Sequence, residues 1–234
     1  MIHYENFTLP KEAFDNFENP LPYYILEIFE KGACEHGVRL GVSFEDMRKR
    51  ELMWVIASTY YEICGKITPD EEYKLKTWPV KPGRIGYERE YLILDKEDKV
   101  IVKGTSNWLT TGLIDRKLKL GVNVFGIREY HDERVFGEGI KRLREEDSFP
   151  SKEITPSDEH IDSNGHVNNK HYTTFLYDAL GGFSGKVKSF DINYVTEIMP
   201  GDKVMVSVKK EEGYDFIKGE VNGSKSFLAK INYK

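Results

Sequence analysis

Cysteine is scarce: the chain holds two, Cys34 and Cys64. Two thiols thirty residues apart make neither a disulfide framework nor a metal-ligand spacing, and they read as buried thiols of a reducing cytoplasm. Long apolar runs are missing too. Nothing approaches the roughly 20 residues that a membrane span requires. The first ten residues, MIHYENFTLP, have no basic start and no apolar core, so no targeting signal is expected and the cytoplasm is the expected location. Basic charge is in short supply. Lys+Arg number 34 against 39 Asp+Glu, a net charge of −5, which argues against nucleic acid as a partner. What is plentiful is large aromatic surface, 3 Trp, 14 Tyr and 13 Phe, enough for a sizeable core.

The hydrophobic pattern has two helices. Residues 22–37 carry Ile25, Ile28, Phe29 and Ala33 at helical spacing, with Pro22 at the start and Gly37 suited to the end. Residues 168–180 carry Tyr172, Phe175, Leu176 and Ala179, stopped by Gly181-Gly182. Four strand patterns follow each helix: 53–64, 71–78, 86–95 and 99–111, then 186–196, 203–211, 214–221 and 224–233. Asn222-Gly223 is a two-residue hairpin turn. A short strand is expected before each helix, at 4–9 and 151–155. One order of elements thus occurs twice. It predicts a duplicated α+β module, each with one helix packed on an antiparallel sheet. The expected division is a module at 1–125, a connection at 126–149 and a second module at 150–234.

The densest polar cluster is 158–169, DEHIDSNGHVNN. Asp162, Asn164 and His166 alternate, which in an extended segment points all three side chains one way. The helix then starts at Asn168/Asn169, where free backbone N–H groups and the positive dipole end suit a developing oxyanion. The competing reading is a helix-capping turn, with Asn168 or Asn169 as the cap. Asp-Ser-Asn-Gly also opens like a calcium loop, but the closing Glu of such a loop is missing from its place, so no metal is expected here.

The stretch Asp162-Ser163-Asn164-Gly165-His166-Val167-Asn168-Asn169, followed by Tyr172, resembles the signature of the acyl-acyl-carrier-protein thioesterases. Residues 41–58, 73–94 and 98–120 are similar to first-half segments of the same family, so the resemblance spans nearly the whole chain. It implies a double hotdog fold and hydrolysis of fatty acyl-acyl-carrier-protein thioesters, without a cofactor. Asp162, Asn164 and His166 match the family's catalytic positions, and Glu197 in Asn193-Tyr194-Val195-Thr196-Glu197-Ile198 matches the fourth. Plant members carry a cysteine straight after that glutamate; here the position is Ile198, and cysteine chemistry is not available. The roles that follow are Glu197 and Asp162 activating water, Asn164 positioning it, and His166 polarising the carbonyl. Attack by Asp162 itself is the alternative.

The resemblance also places an acyl pocket in the amino-terminal module. Trp54, Trp78, Trp108 and Tyr91 are its candidate walls. At an offset of 147, Asp15, Phe17 and Asn19 fall opposite Asp162, Asn164 and His166; only the aspartate recurs, so the first half is expected to hold no second site. The implied partner is acyl carrier protein with its phosphopantetheine-linked chain. That partner is acidic, so docking requires a basic patch, for which Lys81, Arg84, Arg89, Arg116, Lys117, Lys119, Lys141, Arg142 and Arg144 are candidates. A monomer with an internal pseudo-dimer, or a homodimer, is expected. An acyl-coenzyme A thioesterase, a non-catalytic fatty-acyl binder and a dehydratase on the same fold are the competing functions.

Overall fold

The computed structural model describes residues 2–83, 85–119, 130–137, 139–162 and 164–234. The expected module boundary at 125/126, Arg84 of the expected basic patch and Ser163 of the polar motif lie outside the described residues. The chain forms two compact units. One comprises Met1–Leu9 and Glu27–Lys141, the other Pro10–Leu26 and Arg142–Lys234. Residues 10–26 therefore belong with the second unit, and the segment 126–149 is divided between the two.

The first unit contains β1 (His3–Thr8), most of α1 (Pro22–Arg39), α2 (Phe44–Arg48), β2 (Leu52–Ile63), β3 (Glu72–Pro79), β4 (Tyr87–Leu94) and β5 (Val100–Gly112). Its strands pair antiparallel in the order β1-β3-β4-β5-β2. Helix meets sheet at Phe29. Its ring stacks on Tyr91 of β4 at 4.1 Å between centroids and meets Tyr61 of β2 edge-on. Directly beneath lies Gly104 of β5, paired with Tyr91, where a Cβ would come within 2.4 Å of the Phe29 ring. Only glycine lets the ring this close to the sheet, and truncating such a buried Phe typically costs about 3–5 kcal/mol. The helix runs two residues past Gly37, to Arg39. The short α2 was not expected; Ser43 and Asp46 form its capping box.

The second unit contains β6 (Phe149–Ile154), α3 (Tyr172–Leu180), β7 (Val187–Tyr194), β8 (Val204–Glu211), β9 (Tyr214–Val221) and β10 (Ser224–Tyr233). The order is β6-β8-β9-β10-β7, the same relative order as in the first unit, again antiparallel throughout. The hairpin between β9 and β10 turns at Asn222-Gly223, both with positive φ, as expected of a two-residue loop. Tyr172 at the start of α3 packs edge-on against Tyr194 of β7 and Phe227 of β10. Three-residue 3-10 turns precede both helices, at Lys11–Ala13 and Asp158–His160, 147 residues apart. The duplication read from the sequence is thus present in the strands, their order, the long helix and the 3-10 turn before it, while α2 belongs to the first unit alone among the described residues.

Each unit holds a carboxylate that desolvation draws away from its ordinary ionisation. In the first, Glu90 is pushed up to about 7 by burial, against the opposing pull of the Val135 N–H and the Thr105 hydroxyl, both at 3.1 Å. In the second, Asp191 is likewise pushed up to about 7 by burial, opposed by the Asn193 side-chain amide and Lys230. A raised carboxylate pKa means that the native state keeps a proton the unfolded chain has already lost. Between about pH 4 and pH 7 each group therefore costs stability as the pH rises. Glu90→Gln keeps the shape: its carbonyl accepts from Val135 and its amide donates to the Thr105 hydroxyl. Thermal melts from pH 4.5 to 8.5 are expected to show the variant close to wild type at the acid end and more stable by roughly 1–3 kcal/mol at the alkaline end. Parallel melting curves for the two proteins would show that Glu90 carries no such cost.

Candidate active site

The polar motif is a closed turn and not an extended segment. Asp162 N–H donates to the His166 carbonyl at 2.9 Å, Gly165 N–H donates to the Asp162 carbonyl at 3.0 Å, and Ile161 bridges Val167 antiparallel. Gly165 has φ +83°, the left-handed conformation that the turn requires. The Asp162 carboxylate fastens the loop from inside. Oδ1 accepts the Asn164 N–H at 2.7 Å, and Oδ2 accepts the Asn164 amide at 3.3 Å. Asp162 and His166 therefore converge because they face each other across a turn, which corrects the expectation from strand alternation.

The same loop occurs at Asp15, as the offset of 147 predicts. Asp15 N–H donates to Asn19 O at 3.0 Å, Glu18 N–H to Asp15 O at 3.0 Å and Phe17 N–H to Asp15 Oδ1 at 2.9 Å, and Phe14 bridges Pro20. Here the position of His166 is Asn19. Its side chain donates to the Gly185 carbonyl and accepts from the Val187 N–H, both at 2.8 Å, so it is spent on structure. One backbone thus serves as a tether in one copy and presents an imidazole in the other.

Glu197 arrives by a different route, beyond the end of β7. Ser226 lies in a β-bulge of β10, and its carbonyl accepts both the Val195 and Thr196 N–H groups, at 2.7 and 3.1 Å. Its hydroxyl donates to the Thr196 carbonyl at 2.8 Å. Ile198 is then held from two sides: its N–H donates to the Tyr172 hydroxyl at 3.0 Å, and its carbonyl accepts the Val167 N–H at 2.9 Å. Its side chain is fully buried. The clamp leaves Glu197 Oε1 3.7 Å from His166 Nε2, while Asp162 Oδ2 stands 3.7 Å from His166 Nδ1. Tyr172 was noted from the sequence only as part of the motif and the helix stripe. It is the residue that fixes Glu197, and burial, with Glu197 and Asp162 nearby, pushes its hydroxyl up to about 12, so it stays protonated.

The four expected site residues fall together within the second unit. His166 is mostly buried, with 13% of its side chain exposed, and Glu197 is more open, at 38%. Nδ1 lies 3.4 Å from the Val167 carbonyl and 3.7 Å from Asp162 Oδ2, and Nε2 faces Glu197 Oε1 at 3.7 Å, so an acceptor stands near each ring nitrogen. A metal ion on either nitrogen would meet one carboxylate and not the other.

Asn168 caps the turn Asn169–His171 by accepting the Lys170 N–H at 3.0 Å, as the capping reading has it. The N–H groups of Val167, Asn168, Lys170 and His171 are all engaged, with Ile198, His160 and Asn168. The helix start therefore offers fewer oxyanion donors than its sequence suggests.

The first unit has an apolar cavity of about 70 Å³. Trp54, Tyr87 and Trp108 form one aromatic side, and Leu40, Val42 and Phe44 are also in its lining. Of the candidate walls, Trp54 and Trp108 line it; Trp78, bonded to the Glu133 carbonyl, and Tyr91, under Phe29, belong to the core. Arg89 is buried at its edge, against His36 Nδ1 at 3.2 Å and Thr77, and so is no part of a surface patch. Cys34 also lines the cavity, and burial pushes its thiol up to about 12, far from a reactive thiolate. Cys64 is exposed, against the expectation of burial.

No helix among the described residues is long and apolar enough to cross a membrane. Among solved structures, the fold matches an acyl-ACP thioesterase from Bacteroides thetaiotaomicron with TM-score 0.89 at 21% identity, covering 100% of this chain and 98% of that one. It matches the 12:0-ACP thioesterase from Umbellularia californica with TM-score 0.86 at 17% identity, covering 100% and 97%. The double hotdog architecture is that of these structures. In sequence, the chain is 25% identical over 180 residues to oleoyl-acyl carrier protein thioesterase 2, chloroplastic, of Arabidopsis thaliana, covering 67% of this chain and 48% of that protein. The chain thus spans about half the length of the curated relatives it matches. The model of the acyl-ACP thioesterase N-terminal domain matches residues 3–123, and that of the C-terminal domain matches residues 143–234. With both halves matched and the duplicated helix-on-sheet unit in place, the chain belongs to the acyl-ACP thioesterase family.

Proposed function

We propose that this protein hydrolyses fatty acyl thioesters of acyl carrier protein, with a water molecule as nucleophile. The observation that carries the reading is an imidazole between two carboxylates, one on each ring nitrogen. A gap of 3.7 Å between His166 Nε2 and Glu197 Oε1 is too long for a direct hydrogen bond and leaves the buried Nε2 without a partner, the place this reading gives to the water. In this mechanism Asp162 keeps His166 in the tautomer with Nδ1 protonated. Nε2 takes a proton from the water while Glu197 orients it. The water oxygen bonds to the thioester carbon, the tetrahedral oxyanion collapses, the C–S bond breaks, and His166 returns the proton to sulfur. Asn164 supplies a side-chain N–H for the oxyanion. Asp162 is a poorer nucleophile than Glu197-oriented water, because both of its oxygens are occupied with Asn164.

The apolar cavity of the first unit is the proposed acyl receptacle. The exposed residues Lys81, Arg116, Lys117, Lys141, Arg142 and Arg144 are the remaining candidates to meet an acidic carrier protein. The direct test is steady-state hydrolysis of a chain-length series of acyl-carrier-protein and acyl-coenzyme A thioesters, with the free acids identified. Faster turnover of the carrier-protein thioesters is expected. Retained acyl binding with no hydrolysis of either would support the binder reading instead.

Asp162→Asn and Glu197→Gln are each expected to lower kcat by about 10²–10⁴ with little change in melting temperature, and His166→Ala by a similar factor. Asn168→Ala is the control: loss of a cap costs roughly 1 kcal/mol of stability and leaves the chemistry intact.

Tyr172→Phe tests positioning. It strands the buried Ile198 N–H, at a cost of about 1–3 kcal/mol. It is also expected to lower kcat more than it raises KM, because Glu197 loses its fixed place. A kcat equal to wild type in the folded variant would show that the clamp is structural only.

Ile198→Cys puts a thiol at the position where plant relatives have one. That side chain is fully buried in the core, so turnover is expected to change little and thiol reagents to leave the chemical step intact. Stoichiometric inactivation by such a reagent, with the fold preserved, would contradict a water nucleophile.

A further inference from the structure

Away from the active site, the first unit brings together a donor set that its own hydrogen bonding leaves unsatisfied. His3 on β1 is 4% exposed, and neither of its ring nitrogens has a hydrogen-bond partner. Its Nε2 lies 3.6 Å from Glu35 Oε2 and 3.9 Å from Glu5 Oε2. Glu5 Oε2 is itself buried and without a hydrogen bond. Two buried atoms of opposite character thus face one another at distances too long to bond.

The arrangement is built by period and register. His3 and Glu5 are two apart on a strand and share a face. Glu35 comes from α1, one turn after Lys31. Lys31 takes the other oxygens: it is paired with Glu5 Oε1, and its Nζ is 3.9 Å from Glu35 Oε1. The lysine therefore compensates the carboxylates on one side and leaves both Oε2 atoms on the side of the imidazole. His36 stacks on His3 at 5.7 Å between centroids.

One ligand atom from each of His3, Glu5 and Glu35 lies within 4.8 Å of the others. Tetrahedral zinc, with metal–ligand bonds near 2.0–2.2 Å, places its donors about 3.3–3.5 Å apart. The two distances from His3 Nε2, 3.6 and 3.9 Å, exceed that spacing by a few tenths of an ångström, and the two carboxylate oxygens, within 4.8 Å of each other, are drawn together by the ion they share. The Glu35 side chain is 49% exposed, which provides access and room for a water as fourth ligand. We propose that His3, Glu5 and Glu35 form a divalent transition-metal site of the zinc class, tying β1 to α1. One imidazole and two carboxylates suit zinc over calcium or magnesium, which prefer all-oxygen shells.

The test is titration of the chelator-stripped full chain with Zn²⁺ by calorimetry, with thermal melts alongside. Saturable binding of one equivalent and a higher melting temperature are expected, with no such response to Mg²⁺. Glu35→Gln, at a half-exposed position that leaves the fold intact, is expected to weaken binding at least tenfold. His3→Gln is expected to abolish it, and Lys31→Met to tighten it by removing a competing cation. Because the active site also holds an imidazole and two carboxylates, His166→Ala is titrated in parallel and is expected to bind as wild type does. No saturable binding below 100 µM Zn²⁺ (about 5 kcal/mol of affinity), or binding that survives Glu35→Gln and is lost in His166→Ala, would overturn the proposal.

Discussion

A carboxylate that accepts the backbone amide two residues further on closes the loop before each helix, and the active-site arrangement rests on that bond. Asp15 and Asp162 make it at equivalent places in the duplicated sequence. It costs no long-range contact, so it sets the backbone of each loop locally before any packing is added. Once the loop is set, the residue at its far end is delivered to a fixed place. In one copy that residue is Asn19, which ties the chain to Gly185 and Val187. In the other it is His166, which meets Asp162 and Glu197. The two loops share the aspartate and its backbone bonds but not their other side chains, and the residue at the far end, Asn19 or His166, separates a tether from a candidate catalytic group.

What the loop positions, the sheet completes. Glu197 reaches His166 because the Ser226 bulge gathers the strand end and Tyr172 with Val167 grips the Ile198 peptide. Ile198 is fully buried, while its neighbour Glu197 stands 3.7 Å from the imidazole. The apolar Ile198 thus anchors the segment that carries the carboxylate.

The interior of each unit carries polar groups that a simple core would not. Glu90, Asp191 and Arg89 are all drawn away from their ordinary ionisation by burial. Arg89 stands at the edge of the apolar cavity, bonded to a histidine that burial keeps neutral. The packing that makes room for these groups relies on close approach elsewhere, as where Phe29 lies directly on Gly104.

Much of the fold was legible in the residues. The strands and both long helices follow from period-2 and period-3.6 patterns, and the Asn222-Gly223 turn from its chemistry, because these are local preferences. The motif at 162–169 and Glu197 were legible as a family resemblance. The geometry that joins them was not. Alternation suggested an extended segment where a turn stands, because a side-chain-to-backbone bond outweighed strand propensity. Arg89 read as surface charge and is buried; Cys64 read as buried and is exposed. Burial depends on which face of a strand meets the helix, and charge in the sequence carries no record of that. Tyr172 as a clamp, and the meeting of His3 and Glu5 with Glu35, depend on contacts between elements far apart in sequence. Sequence by itself determined the elements, their repetition and the residue types available for chemistry. Only tertiary structure decided which of them stand within a few ångströms of one another, since that follows from the register of strands and the seat of a helix on its sheet.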